Sequence, residues 1–187
     1  MCCASFDDIF LLHGKGGRPS GSVLQLEELL RPQFASSRFT RPSLLHGDPA
    51  ITAGASLAGL LRLDIPEGAA VIGISLDGLL AASLQETVRP DLHVTCISSP
   101  TWADDVQLTL RMTNRLALYS SSDAVINGRT GQRPQLAQAF DLPWLTHDTD
   151  AHKGPLAEIG GAFLRGDDVF HRIVAEEEML RRKGTIA

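Results

Sequence analysis

The sequence is poor in aromatic residues, carries no basic cluster and has no long hydrophobic run. Phe, Trp and Tyr together make up 5% of the 187 residues, and the formal net charge is -5. A nucleic-acid-binding surface needs a positive face and often stacking rings, so this composition argues against a nucleic-acid partner. No apolar stretch approaches the roughly 20 residues that a membrane-spanning helix requires. We therefore expect neither nucleic acid nor a membrane among its partners.

Cysteine is also scarce. Two of the three cysteines are adjacent, Cys2 and Cys3, which makes a poor framework for disulfide bonds. Cys96 lies in an apolar run and is expected to be buried. The first residues lack the basic start and the apolar segment of a secretory signal peptide. These features predict a cytoplasmic protein with reduced thiols.

What the sequence does have is a regular alternation of short apolar runs with helical patterns. The predicted strands are residues 8–13, 39–46, 70–74, 92–97, 115–119 and 142–146. The predicted helices are residues 23–30, 51–61, 76–85, 102–112, 134–140, 156–164 and 168–182. Such alternation favours a parallel sheet with helices on both faces. We predict an α/β protein, a three-layer α/β/α sandwich around a six-stranded parallel sheet, with one domain spanning residues 1–187.

The segment around Ser75 is the most informative one. An apolar run ends in Gly73-Ile74-Ser75, and a helical segment begins immediately after the serine. This pattern predicts a strand, a tight turn and a helix, with Ser75 at the apex. A serine oxygen exposed near the first N–H groups of a helix suits a nucleophile, because those groups can stabilise an oxyanion. The alternative is an ordinary turn without chemistry.

Other reactive residues follow other predicted strands. In an open α/β sheet, ligands bind at the carboxyl ends of the strands. The residues found there are a glycine-rich loop at 13–17, then Asp123, and then Asp148, Asp150 and His152. A serine alcohol needs an imidazole to take its proton and a carboxylate to orient that imidazole. The order serine, aspartate, histidine supplies all three groups at one edge of the sheet.

This arrangement resembles the α/β-hydrolase family. Ser75, Asp123 and His152 follow the family's order of nucleophile, acid and histidine. The turn at Ser75 resembles the family's Gly-x-Ser-x-Gly elbow, with Asp77 in place of the second glycine and a glycine one position later. The resemblance covers nearly the whole chain. It implies a six-stranded sheet of order 2-1-3-4-5-6. The sequence departs from the family pattern in that we predict neither the family's two leading strands nor a lid domain.

The resemblance also implies a role for each residue. Ser75 would attack a carbonyl carbon, His152 would carry the proton to the leaving group, and Asp123 would orient His152. The loop at 13–17 resembles the family's oxyanion loop, so the backbone N–H groups of Lys15 and Leu76 would bind the oxyanion. The implied function is hydrolysis of a carboxylic ester or thioester of a small acyl substrate, with no metal or organic cofactor.

Several alternatives stay open. His147 lies closer to the end of the predicted strand and competes with His152 as the base. Residues 147–152 also contain the histidine and aspartate types that ligate metals. Asp77 is the main support for another class of function, a hydrolase-like binding or regulatory domain without turnover. Cleavage of an amide or a carbon–carbon bond on the same fold is a third reading. A homodimer, formed through the helices or the edge strand at 39–46, is open as well.

Overall fold

We describe the fold from a computed structural model of the chain. The described residues are 6–44, 48, 50–100, 102–103, 105–126 and 138–186. The strands are β1 Asp8–Leu12, β2 Arg38–Thr40, β3 Ala70–Ile74, β4 His93–Ile97, β5 Trp102–Ala103, β6 Val106–Gln107, β7 Arg115–Tyr119 and β8 Gln138–Asp141. The α-helices are α1 Ser22–Leu30, α2 Ala53–Leu60, α3 Leu76–Thr87, α4 Lys153–Arg165 and α5 Val169–Arg182. A 3₁₀ turn, Thr149–His152, precedes α4.

Six of the strands form one parallel sheet in the order β2-β1-β3-β4-β7-β8. Strands β1 and β3 are buried along their whole length. Because helices cover both faces of such a sheet, its central strands are continuous apolar runs without alternation. The predicted six-stranded parallel sheet is confirmed, and its strands follow the predicted order 2-1-3-4-5-6.

The helices form two layers, one on each face of the sheet. Apolar residues of α1, α4 and α5, such as Leu26, Ile159 and Ile173, share one core with one face of the strands. Apolar residues of α2 and α3, such as Leu60 and Leu80, share a second core with the other face. The three-layer sandwich predicted from the sequence is confirmed. A transmembrane helix is absent from the described residues, since none of their helices combines the required length and hydrophobicity.

The last strand of the sheet is not where the sequence predicted it. Strand β8 is Gln138–Asp141, whereas residues 142–146 form a turn in which the N–H of Leu145 donates to Leu142 O at 2.9 Å. Leu142, Trp144 and Leu145 of this turn are buried in the core without forming a strand. Strand β8 has no apolar run because it is an edge strand and is only partly buried. Of the helix predicted at 134–140, residues 138–140 are in β8 and the rest lie outside the described residues.

The helix predicted at 102–112 is also wrong. The segment contains β5 and β6, which pair in antiparallel fashion. Val106 and Leu108 are both buried, and this spacing of two residues fits an extended chain. The N–H groups of Thr109 and Leu110 donate to Glu86 Oε1 at 2.6 and 2.9 Å, which fixes the segment beside α3. The strand predicted at 39–46 is shorter, Arg38–Thr40, and its residues 45–46 are not among those described.

Candidate active site

Ser75 occupies a sharp turn between β3 and α3. Its backbone has φ 54° and ψ -126°, a combination that residues with a side chain rarely adopt. The N–H of Ser75 donates to Ile97 O of β4 at 2.8 Å, which continues the pairing of the strands to the end of the sheet. Strained residues of this kind are concentrated at functional sites. The turn has the geometry that the Gly-x-Ser pattern predicted.

Two glycines allow α3 to start so close to β3. A Cβ atom on Gly73 would lie 2.5 Å from the backbone of Asp77 and Gly78. A Cβ atom on Gly78 would lie 2.9 Å from Gly73 O and 1.9 Å from the Ser99 Oγ atom. The glycine needed for this close approach is therefore at position 78. The aspartate that departs from the elbow pattern, Asp77, lies in the first turn of α3 with its side chain buried.

The structure brings Ser75, His147 and Asp123 together. The Ser75 Oγ atom lies 3.2 Å from His147 Nε2, and His147 Nδ1 lies 3.0 Å from Asp123 Oδ2. The Asp123 side chain is 1% exposed, and its other oxygen accepts the N–H of Val125 at 2.9 Å. The carboxylate is thus fixed by the turn that follows β7, with one oxygen directed at the imidazole. The three side chains form a chain of hydrogen bonds from a hydroxyl to a buried acid.

The sequence predicted His152 as the base, but the structure places His147, and not His152, in contact with Ser75. His152 is buried, and its ring packs edge-on against Trp144 with the ring centroids 5.3 Å apart. Within the described part of the chain, its Nδ1 atom has no hydrogen-bond partner. Burial in these surroundings lowers the pKa of His152 below its ordinary value, although Asp148 acts in the opposite direction. His152 is therefore a residue of the protein interior.

The turn after β8 explains why the nearer histidine reaches the serine. The Ser98 Oγ atom, at the end of β4, donates to Thr146 O at 3.4 Å, which holds the turn above the sheet edge. His147 follows at once. Asp148 then caps the 3₁₀ turn by accepting the N–H of Asp150 at 3.1 Å, and this turn leads His152 away into the core.

The glycine-rich loop after β1 lies against the serine. A Cβ atom on Gly14 would be 3.1 Å from the Ser75 Cβ atom and 3.2 Å from Ile74 O, so only a glycine allows this approach without a shift. Lys15 comes next and lines the pocket in front of Ser75. Leu76 is the first residue of α3, and the first N–H groups of a helix have no partner within it. Both backbone positions are near Ser75, and their role as oxyanion donors stays a prediction.

A cavity of about 200 Å³ opens in front of Ser75. Its wall is formed by the loop after β1, the start of α1, the serine turn and the segment at His147; the lining residues with charged or hydroxyl side chains are Lys15, Arg18, Ser22, Asp148 and Thr149, beside the serine itself. A second cavity, of about 550 Å³, shares His13, Gly17 and Arg18 with the first. No signal in the sequence singled out Arg18 or Thr149.

The metal alternative concerns the histidine and aspartate side chains of residues 147–152. No group of three or more His, Cys, Asp and Glu side chains within the described residues is arranged to hold a metal ion. Both ring nitrogens of His147 are directed at Ser75 and Asp123. The arrangement is suited to moving a proton between a hydroxyl and an imidazole.

Solved structures of similar architecture identify the fold. A protein from Xanthomonas campestris pv. campestris, assigned to the α/β superfamily of hydrolases, has a TM-score of 0.65 at 17% identity over 86% of this chain and 99% of that chain. The chain has the α/β-hydrolase fold. Est1E from Butyrivibrio proteoclasticus, in a structure with ferulic acid bound, has a TM-score of 0.62 at 14% identity over 86% of this chain and 89% of its own.

A mouse protein, alpha/beta hydrolase domain-containing protein 10, has a TM-score of 0.61 at 10% identity over 94% of this chain and 90% of that chain. No family model and no curated protein matches the sequence. The likeness is therefore one of fold. On this α/β-hydrolase fold, Ser75 stands between β3 and α3, Asp123 after β7 and His147 after β8, each beyond the carboxyl end of a strand.

Proposed function

We propose that the protein is a serine hydrolase that cleaves a carboxylic ester or thioester through an acyl-enzyme. The observation that carries this proposal is the pair of contacts from Ser75 Oγ to His147 Nε2 and from His147 Nδ1 to Asp123 Oδ2, at 3.2 and 3.0 Å. A nucleophile, a base within hydrogen-bond reach and a third group that orients the base are the parts that acyl transfer requires.

Asp123 determines the tautomer of the His147 imidazole before the reaction. A carboxylate only accepts hydrogen bonds, so the Nδ1–H of neutral His147 donates to Asp123 and Nε2 is left as an acceptor. The Ser75 hydroxyl then donates to Nε2. As Ser75 Oγ attacks the carbonyl carbon, His147 takes the proton and becomes an imidazolium beside the Asp123 carboxylate. The buried carboxylate stabilises this charge.

The negatively charged oxygen of the tetrahedral intermediate needs hydrogen-bond donors to stabilise it. We assign this task to the backbone N–H groups of Lys15 and Leu76, which lie on the loop after β1 and at the start of α3. His147 then gives its proton to the leaving group, and the acyl group stays on Ser75. Water attacks the acyl-enzyme with the same base and releases the acid. No step in this scheme uses a metal or an organic cofactor.

Two further observations support the proposal. The fold is that of structures that include esterases, and the Est1E structure contains ferulic acid, which is a carboxylic acid like the product of ester hydrolysis. In addition, Gly78 supplies the glycine that the close approach of α3 to β3 requires, since a Cβ atom there would lie 2.9 Å from Gly73 O. The glycine that the tight turn requires is thus at position 78, and Asp77 does not occupy that place.

The test is hydrolysis of p-nitrophenyl acetate and butyrate by the wild type and by Ser75→Ala, with Ser121→Ala as the control. Ser121 is an exposed serine in the turn that precedes Asp123. We expect Ser75→Ala to lose about a thousandfold or more in kcat/KM and Ser121→Ala to keep it. A fluorophosphonate probe should label the wild type and fail to label Ser75→Ala. Equal rates in the wild type and Ser75→Ala, together with no labelling of the wild type, would overturn the proposal.

A further inference from the structure

The cavity in front of Ser75 has two positive side chains that form no ion pair within the described residues. Lys15 and Arg18 are exposed and line it from the loop after β1. None of the ion pairs among the described residues includes either of them. Two other cations nearby do have partners, because Arg41 pairs with Glu27 and Lys153 pairs with Asp150. The charges of Lys15 and Arg18 are therefore available to a ligand.

Arg18 lines both the cavity at Ser75 and the larger second cavity. It lies on the wall that the cavity at Ser75 shares with the larger cavity of about 550 Å³. The other arginine of the larger cavity, Arg41, pairs at 2.5 Å with Glu27, a carboxylate that it shares with Arg31. An anionic group in the cavity at Ser75 would therefore find Arg18 and Lys15, and one that extends into the larger cavity would still contact Arg18. The N-terminus of α1, whose first residue Ser22 lines the cavity at Ser75, adds a weaker positive potential.

The sheet order shows on which side of the serine these cations lie. Strand β3, which carries Ser75, has β1 on one side and β4, β7 and β8 on the other. The cationic loop follows β1, while Asp123 and His147 follow β7 and β8. A leaving group must lie close to His147, which gives it a proton. The exposed carboxylate of Asp148 is the next residue and would repel an anion there.

We infer that the substrate is an ester or thioester whose acyl part carries an anionic group, as in a half-ester of a dicarboxylic acid. This inference rests on the proposed function and adds the substrate class to it. The acyl chain points from Ser75 toward the loop after β1, where its anionic end meets Arg18 and Lys15. The leaving group occupies the side of His147 and Asp148.

The experiment compares two p-nitrophenyl esters with acyl chains of equal carbon number, the glutarate monoester and the neutral pentanoate. The rate with Ser75→Ala is subtracted to remove spontaneous hydrolysis. The quantity measured is the ratio of kcat/KM for the anionic ester to that for the neutral ester. We expect Arg18→Gln to lower this ratio by about threefold to tenfold, and Arg18→Glu to lower it further. Added salt should lower the wild-type ratio, because it screens exposed charges.

The matched control is Arg111→Gln. Arg111 is exposed and lies just before β7, at the opposite edge of the sheet from Ser75, so its loss changes the net charge equally. This variant should keep the wild-type ratio. A ratio that neither Arg18 variant lowers, while both esters are hydrolysed with dependence on Ser75, overturns the inference and leaves the proposed function standing.

A second measurement does not depend on turnover. Glutarate is titrated into Ser75→Ala and into Ser75→Ala combined with Arg18→Gln, and binding is followed by NMR. We expect binding that weakens by about threefold to tenfold when Arg18 is replaced. If the esters are hydrolysed without dependence on Ser75, the proposed function fails. In that case glutarate binding sensitive to Arg18 still supports an anion site, and the absence of binding overturns it.

Discussion

The Asp123 Oδ2 atom lies 3.0 Å from His147 Nδ1, and this contact decides which ring nitrogen faces the serine. A second hydrogen bond fixes the carboxylate, because its other oxygen accepts the N–H of Val125. With Nδ1–H bound to Asp123, the Nε2 atom is left free to take the proton of Ser75. The buried acid thus sets both the orientation and the tautomer of the imidazole.

Replacing this acid with its amide tests that role. Asp123→Asn keeps the shape of the side chain, but its amide group favours the wrong tautomer of His147. We expect kcat for p-nitrophenyl butyrate to fall by about 10³- to 10⁴-fold. Asp150→Asn is the control, because Asp150 pairs with Lys153 on the 3₁₀ turn and does not line the cavity. Equal losses in the two variants would mean that Asp123 has no special role.

The close contact between β3 and α3 predicts that replacing glycine with alanine changes the free energy of unfolding very differently at different positions. Gly73→Ala would place a methyl group 2.5 Å from the backbone of Asp77 and Gly78, so we expect it to lower the free energy of unfolding by about 2–4 kcal/mol. Gly160→Ala in α4 meets only the Thr95 Cγ2 atom at 3.9 Å, and it should stabilise by about 0.5–1 kcal/mol through helix propensity. Urea unfolding of both variants checks this, and similar effects would contradict the packing described for the elbow.

The approach of Gly14 to Ser75 predicts a change in catalysis with little change in folding. In Gly14→Ala the new Cβ atom would lie 3.1 Å from the Ser75 Cβ atom, so the loop must move by a few tenths of an ångström. The Lys15 N–H would move with it, and oxyanion donors are sensitive to such shifts. We expect kcat to fall by about tenfold with KM and Tm nearly unchanged. An unaltered kcat would indicate that this loop gives no donor to the reaction.

Burial of His152 predicts how stability varies with pH. Its pKa in the folded protein lies below the ordinary value, so below about pH 6.5 the unfolded chain binds more protons than the folded one. This contribution to stability is present above that pH and is lost as the pH falls. His152→Gln should therefore have a shallower slope of unfolding free energy between about pH 7 and pH 5.

His93 offers an internal comparison for that measurement, because burial lowers its pKa as well. The double variant of His93 and His152 should have a shallower slope than either single variant. Urea unfolding at a series of pH values provides the slopes. A wild-type slope retained in His152→Gln would show that this imidazole does not couple folding to protons.

The central strands of the fold could be predicted from the sequence because buried strands are recognisable as short apolar runs. Strand β3, with all five residues buried, can only be a continuous apolar run. Strand β8 has partly buried residues and no apolar run. The buried Leu142 and Leu145 that follow it belong to an apolar run, although they are not in a strand. Segments at the edge of a sheet take their structure from neighbours, and a local pattern does not record those neighbours. The 102–112 segment was misassigned for the same reason, since Glu86 of α3 fixes it.

The candidate site could be predicted in part for a related reason. Ser75 and Asp123 stand directly after strands and are fixed by local turns, so chain order was enough to find them. The histidine depends on the path of a turn that Ser98 and Thr146 hold together from distant parts of the chain. The resemblance favours His152 because Gly154, Pro155 and a helix follow it, and this local pattern does not record the path of the turn. The capping contact of Asp148 was the local sign that the chain turns inward after His147.

The most direct test of the central claim is the kcat/KM for p-nitrophenyl butyrate in His147→Gln and His152→Gln. Both changes replace an imidazole with an amide, and the two residues are five positions apart. We predict that His147→Gln loses about a thousandfold, because Ser75 then lacks its base, and that His152→Gln, if folded, stays within about tenfold of the wild type. A large loss in His152→Gln with full activity in His147→Gln would contradict the assignment of His147 as the base of Ser75.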